Sequence, residues 1–157
     1  MGEETLFYKG RFMGYQHQDI KPISDKAQYT DVYHTIMKAG EAWYRISGNI
    51  PKALLEVTRH IHGSINMAAY HAFKAMNGFD AEKKLLDIGL SQQEVFFLFS
   101  SLEYLCKTRA ISPGAASTVT EVLHNAHEQL GKWYKSVQKA QKQESRLPAS
   151  DLGTVSS

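Results

Sequence analysis

The chain has one cysteine, four prolines and no apolar run near the ~18 residues that a membrane-spanning helix needs. One cysteine excludes an internal disulfide and a cysteine metal site, and Cys106 falls in an apolar helical register where we expect a small core residue. The N-terminal segment also lacks the long apolar stretch of a signal peptide. We therefore expect a cytoplasmic protein that does not contact a membrane.

The excess of positive over negative charge is also small. The formal net charge is +2 over 157 residues, which is too small to indicate a nucleic-acid partner by itself. Its distribution is more informative, because residues 132–142 contain four lysines and no carboxylate. Such a segment attracts phosphate, although the solvated face of a long helix has the same composition.

Helical periodicity is what the sequence has in abundance. Between Ile111 and Lys142 the apolar residues recur in alternating steps of four and three, which predicts a core-facing stripe that includes Trp133. Ser112 followed by Pro113 is a favourable helix start. Three earlier segments share this spacing, and we expect them to form helices over residues 30–48, 51–77 and from 80 onward.

The core-facing residues predicted for the four helices follow from this spacing. They are Val32, Ile36, Ala39, Trp43 and Ile46; Leu54, Thr58, Ile61, Ile65, Ala68, Ala72 and Ala75; Leu85, Ile88, Gln92, Val95, Phe99, Leu102 and Cys106; and Val119, Leu123, Ala126, Leu130, Trp133, Val137 and Ala140.

The third helix is the least regular of the four. Gly89 interrupts it, and residues 91–94 (SQQE) resemble a capping box at which a new helix could begin. We favour one helix, bent or straight at Gly89, because the spacing continues across the glycine. Phe96, Phe97 and Phe99 widen its apolar face, which either fills the bundle or meets another subunit.

Four stripes joined by short turns predict an all-α protein with an up-down four-helix bundle. The bundle is expected over residues 30–142. Residues 1–29 show no sustained period and are expected to form an irregular arm. Residues 143–157 are polar and aperiodic, and we expect them to be disordered.

Histidine-rich segments suggest two kinds of site. Glu121 and His124 have the spacing of a di-iron ligand pair, but the second Glu-x-x-His pair that such a bundle needs is missing, so we expect no metal. No catalytic triad order, glycine-rich phosphate loop or nucleotide fingerprint occurs, and we predict no catalytic residue, no enzyme activity and no cofactor. A polar row on the second helix is either a phosphate-contacting lining or a solvent face: His60, Ser64, His71 and Lys74.

Three short segments resemble one protein family. Residues 49–52 (NIPK) are similar to its joint before the second helix, and residues 102–105 (LEYL) followed by Ile111-Ser112 resemble the turn before its last helix. Residues 130–136 (LGKWYKS) resemble its closing motif. The family is that of the accessory variability determinant proteins of diversity-generating retroelements, which belong with the four-helix proteins encoded in ribosomal RNA intervening sequences.

The resemblance implies a ring-shaped homopentamer that accompanies a reverse transcriptase, binds RNA and DNA through basic surface, and supports mutagenic copying of a template repeat. The alternative is an oligomeric scaffold of the same shape that contacts protein alone. For nucleic-acid binding, the lysines of the last helix come first and two basic residues of the second helix come next. The predicted set is Lys132, Lys135, Lys139, Lys142, Lys52 and Arg59.

Overall fold

The computed structural model describes the backbone of residues 27–155 and the side chains of residues 31–146. Within that range the chain forms four α-helices, α1 (Ala27–Ser47), α2 (Leu55–Asn77), α3 (Ala81–Lys107) and α4 (Pro113–Val155), with a short 3-10 turn at Lys52–Leu54 and no strand. The all-α, four-helix prediction is confirmed. The predicted arm lies outside the described residues, except for residues 27–29, which belong to α1.

The helices are arranged in a cycle. Each helix contacts the next one along the chain, and α4 also contacts α1; among the described residues, no Cα atoms of the diagonal pairs α1–α3 and α2–α4 lie within 8 Å of each other. The connections are short, so consecutive helices are antiparallel. None of the helices in the described part of the chain has an apolar stretch long enough to cross a bilayer.

The core-facing stripes of α1, α2 and α4 agree with the predicted spacing over most of their length. Trp43 and Trp133 are fully or almost fully buried, with 0% and 1% of their surface exposed. Ala140, which was predicted to face the core, is exposed, so the packed part of α4 ends near Val137.

In α3 the predicted stripe is displaced to one side. Ile88, Val95 and Leu102 are buried as expected, but Ser91 and Leu98 are buried where the spacing had favoured Gln92 and Phe99. Because α3 is apolar on most of its circumference, periodicity alone could not decide which flank faces inward.

The small side chains of α2 decide this orientation. The Ser91 hydroxyl donates a 2.8 Å hydrogen bond to the carbonyl oxygen of Ala68, which only a close approach of the two helices allows. The prediction of one helix across Gly89 is confirmed: the helix is continuous from Ala81 to Lys107, and residues 91–94, which resemble a capping box, do not start a new one.

Both starts predicted from capping residues are confirmed. Asp80 Oδ1 accepts a hydrogen bond from the backbone N–H of Glu82 at 3.1 Å, and the Ser112 hydroxyl oxygen accepts one from the N–H of Ala115 at 3.0 Å. Each side chain thereby satisfies a backbone donor that has no partner within its own helix.

The end of α3 is a Schellman motif that has an arginine at the usual glycine position. The N–H of Ala110 donates to the carbonyl oxygen of Leu105 at 2.9 Å, and the N–H of Arg109 donates to that of Cys106 at 3.0 Å. Arg109 has φ of 60°, the left-handed region that favours glycine. Cys106 itself is half-buried at this end of the bundle rather than in its core.

Helix α4 is much the longest of the four, with 43 residues against 21, 23 and 27 for α1, α2 and α3. The short connection after Lys107 keeps the start of α4 level with the end of α3, so its extra length lies at the C-terminal end. The helix ends at Val155, 13 residues beyond the predicted end of the bundle at Lys142. Gln143, Glu144 and Arg146 are polar but have high helix propensity, which favours helix in the first turn after Lys142.

Candidate nucleic-acid interface

Four lysines form one exposed edge of α4, which we call the lysine edge: Lys132, Lys135, Lys139 and Lys142. Steps of three and four residues keep side chains on the same side of an α-helix. With a rise of 1.5 Å per residue, the edge is about 15 Å long. The structure therefore brings these four predicted residues together.

The lysines differ in their local partners. Lys132 Nζ lies 3.5 Å from Glu128 Oε1, and both side chains are mostly exposed. In the described part of the chain, no carboxylate oxygen lies within 4.0 Å of the ammonium groups of Lys135, Lys139 or Lys142. Positive charge is consequently least compensated toward the C-terminal half of the edge.

Lys52 and Arg59 are exposed but lie elsewhere. Lys52 is in the 3-10 turn before α2, and Arg59 forms a 3.5 Å exposed ion pair with Glu56. Helix α2 is diagonal to α4, and its first residues lie at the end of the bundle where α4 begins, whereas Lys142 lies toward the other end. The six predicted residues thus form two separate groups.

The polar row predicted on α2 lies against α3. Ser64 is buried, and Asp87 Oδ1 on α3 is 3.1 Å from His71 Nδ1 and 3.4 Å from Lys74 Nζ. The side chain of Asp87 is only 9% exposed. His71 and Lys74 thus make a polar contact with α3, whereas His60 and Lys74 also keep exposed surface, so the row is partly an interhelical contact and partly a solvent face.

The histidines of α4 pack on the phenylalanines of α3. The His124 and Phe99 ring centroids are 4.5 Å apart, and His127 meets Phe96 edge to face at 4.8 Å. In the residues that the structure describes, no cluster of three or more histidine, cysteine, aspartate or glutamate side chains is suited to hold a metal ion.

Helices α1 and α2 leave a groove of about 450 Å³ between them, the α1–α2 groove. Gly40 permits their close packing, since a Cβ there would lie 3.1 Å from Ile65 Cγ2. At one end of the groove the indole N–H of Trp43 donates a 3.2 Å hydrogen bond to His62 Nδ1. The groove is lined by Met37, Gly40, Glu41, Trp43, Tyr44, Arg45, His62, Ile65, Asn66 and Ala69.

The outward face of α3 carries large apolar side chains, which we call the aromatic ridge. Phe96 and Phe97 are its centre, with exposed fractions of 61% and 45%, and Leu86 and Tyr104 flank them at 62% and 51%. The sequence pointed to the phenylalanines through the width of the apolar face. Nothing in the periodicity pointed to the groove, because Gly40 contributes no side chain.

These features define an all-α, four-helix bundle with a basic edge on α4 and two apolar surfaces on its outside. Comparison of the chain with models of protein families, with curated proteins and with solved structures yields no match.

Proposed function

We propose that this protein is a non-enzymatic, self-associating accessory protein that holds RNA or DNA on the lysine edge of α4. Its working partner in this proposal is a reverse transcriptase in the cytoplasm, as in the diversity-generating retroelements whose accessory proteins it resembles. The observation that carries the proposal is the row of exposed lysines on one edge, three of them without a carboxylate within 4.0 Å in the described residues.

The physical basis is electrostatic. A lysine contact with a phosphate releases condensed counterions, so each contact adds a nearly sequence-independent attraction. One edge offers few contacts, and the net charge of a single chain is only +2. A ring of copies, a pentamer by the resemblance, would repeat the edge and concentrate positive potential in one assembly.

The polymerase and this chain have different roles in this proposal. The polymerase supplies the bond-forming step, and this chain contributes charge and a rigid helical support. Such support requires no catalytic side chain, and the polar cluster around Asp87 is accounted for by contacts between α2 and α3.

The test is the salt dependence of binding. We expect Lys135→Gln, Lys139→Gln and Lys142→Gln together to weaken binding of a structured RNA and of duplex DNA, and to flatten the log–log salt slope by up to about 0.9 per lost contact on duplex DNA. The charge-matched control is Lys38→Gln, Lys83→Gln and Lys107→Gln, three exposed lysines of α1 and α3. Equal affinities and slopes for the two triple variants would contradict the proposal.

The second candidate function is an oligomeric scaffold without a nucleic-acid role. The aromatic ridge favours it, because an exposed apolar face suits contact with protein rather than with phosphate. A neighbouring reverse-transcriptase gene with a near-repeat pair would support the first candidate, and its absence together with salt-independent binding would support the second.

A further inference from the structure

Two short rows of residues meet along the outer side of the contact between α3 and α4, which we call the α3–α4 face. Within each row the residues recur in steps of three and four, which keep them on one side of their helix. The row on α4 comprises His124, His127, Gly131, Lys135, Gln138 and Lys142, and the row on α3 comprises Gly89, Gln92, Phe96 and Phe99. Neither row contains a carboxylate, so lysine is the source of charge on this face.

Short distances at two points show that the two rows lie against each other. His127 of α4 meets Phe96 of α3 edge to face, with ring centroids 4.8 Å apart. About one turn farther along α4, a Cβ at Gly131 would lie 3.9 Å from Gln92 Nε2. Aromatic rings therefore occupy one end of the face, and the lysines follow toward the C-terminus of α4.

The middle of the face is open because a glycine of each helix lies there. A Cβ at Gly89 would meet no atom of the described residues within 4 Å, and one at Gly131 would make only an ordinary contact with Gln92. Phe96 borders this depression and keeps 61% of its surface exposed. One side of its ring meets His127, and the exposed part can accept a second flat ring in an offset or edge-to-face arrangement.

The lysines of the face can contact an anion. In the described part of the chain, no carboxylate oxygen lies within 4.0 Å of the ammonium groups of Lys135 or Lys142, and Glu128 lies beside Lys132 instead. From His124 to Lys142 the helix rises about 27 Å. Stacked nucleotides rise about 3.4 Å each along a strand, so the face is long enough for several nucleotides.

Aromatic rings followed by lysines match the chemistry of a single-stranded nucleic acid. Unpaired bases expose flat faces that stack on phenylalanine and histidine rings, whereas the bases of a duplex are already stacked on one another. Lysines beyond the rings attract the phosphates of the same strand. The two groups of side chains on the α3–α4 face thus suit the two chemically different parts of one unpaired strand.

We propose that the α3–α4 face binds a single strand of RNA or DNA, with one base stacked on Phe96 and neighbouring phosphates held by Lys135 and Lys142. The side-chain amide of Gln92 lies between the ring and the lysines, where it can form a hydrogen bond with a base edge. The proposal rests on the nucleic-acid binding of the proposed function, and it adds a preference for unpaired strands and the ring that produces this preference.

The test compares two neighbouring phenylalanines in the full chain. Phe96 lies on the α3–α4 face, whereas Phe97 points toward α2, where its ring centroid is 6.4 Å from that of His60. Both rings are exposed, at 61% and 45%, so Phe97→Ala is the matched control for Phe96→Ala.

Four nucleic acids serve as probes. They are an oligothymidylate and an oligouridylate of about ten nucleotides, within the usual range of site sizes, an abasic DNA strand of the same length, and a DNA duplex. Fluorescence anisotropy across a salt series gives the affinities, and circular dichroism checks folding.

We expect Phe96→Ala to weaken binding of both single strands at least about fivefold, since the loss of one base–aromatic stack has an effect of that size. Its affinity for the duplex and for the abasic strand should not change measurably, because neither offers an unpaired base to the ring. Phe97→Ala should bind all four probes as the parent does. The parent itself should bind the oligothymidylate at least about fivefold more tightly than the abasic strand.

Three results would overturn the stacking role of Phe96: equal affinities of the two alanine variants for single strands, a loss on the duplex as large as on the single strands, or a parent that binds the abasic strand as tightly as the oligothymidylate. If the triple lysine variant of α4 still weakens binding in that case, the proposed function stands without a preference for unpaired strands. A parent that binds no probe in a salt-dependent manner removes the proposed function as well.

A second substitution covers the case in which Phe96→Ala does not fold. Phe96→Leu keeps an apolar side chain but has no flat ring. It should show the same selective loss on single strands, and full affinity of this variant for them would contradict the proposal.

Discussion

Asp87 of α3 and His71 of α2 form a nearly buried contact across the interface of their helices, with Oδ1 and Nδ1 3.1 Å apart and side chains 9% and 13% exposed. Lys74 approaches the same oxygen at 3.4 Å but keeps about half of its side chain exposed. The carboxylate thus connects two residues of α2 to one turn of α3, at positions where apolar residues would otherwise be expected.

The first prediction concerns this carboxylate. Asp87→Ala should lower the free energy of unfolding by about 2–3 kcal/mol, because it leaves the His71 ring polar, mostly buried and without its acceptor. Urea denaturation gives the value. His71→Ala and the double variant complete a mutant cycle, in which a coupling energy below about 0.5 kcal/mol would show that the contact is not energetically coupled.

The second prediction concerns Trp133, which is 1% exposed in the core-facing stripe of α4. Trp133→Ala should cost about 3–5 kcal/mol, since the cavity it leaves can collapse only partly. Thermal and urea unfolding measure this loss. Leu55→Ala, at a residue 46% exposed, is the control and should cost less than about 1 kcal/mol.

The third prediction concerns the left-handed residue after α3. Arg109→Gly should raise the free energy of unfolding by about 0.5–1 kcal/mol. Arginine is strained at a φ of 60°, and removing that strain outweighs the extra conformational freedom of glycine in the unfolded chain. Thr108→Gly is the matched control: this residue has φ of −82°, and the change should be destabilising. The two substitutions must therefore shift the melting temperature in opposite directions.

The fourth prediction compares two helical glycines. Gly63→Ala should stabilise the protein by about 0.5–1 kcal/mol, because a Cβ there meets no atom within 4 Å and alanine favours a helix. Gly40→Ala has the same intrinsic gain but brings its Cβ to 3.1 Å from Ile65 Cγ2. We expect Gly40→Ala to be less stable than Gly63→Ala by about 1 kcal/mol or more, and equal melting temperatures would mean that Ile65 moves aside freely.

The sequence was sufficient to predict the core-facing residues of a helix where its polar and apolar residues lie on clearly separate faces. The stripe of α1 from Val32 to Trp43 and that of α4 through Trp133 are buried as predicted. Helix α3 was harder, because its apolar residues cover most of its circumference and the choice of flank depends on the hydrogen bond from Ser91 to Ala68. That hydrogen bond joins two helices, so the spacing of apolar residues within one helix could not predict it.

The candidate site was predictable only within one helix. The lysine edge follows from spacing along α4, so its four members lie together. Adding Lys52 and Arg59 required knowledge of helix order, and the cyclic arrangement places them diagonally opposite. Asp87 was missed because a lone carboxylate in an apolar helix gives no periodic signal, and its partners are 13 and 16 residues earlier in the chain.

The cyclic order of the helices has a consequence for how the chain folds. Three of the four helix pairs in contact, α1–α2, α2–α3 and α3–α4, are joined by short connections, and only the pairing of α4 with α1 brings together distant parts of the sequence. A chain dominated by such near-neighbour pairings closes few long loops before its contacts begin to stabilise it, which places folding in the microsecond-to-millisecond range. Packing of α4 onto α1 closes the longest loop in the bundle and therefore has the largest entropic cost. This step determines when the four helices become a single cooperative unit.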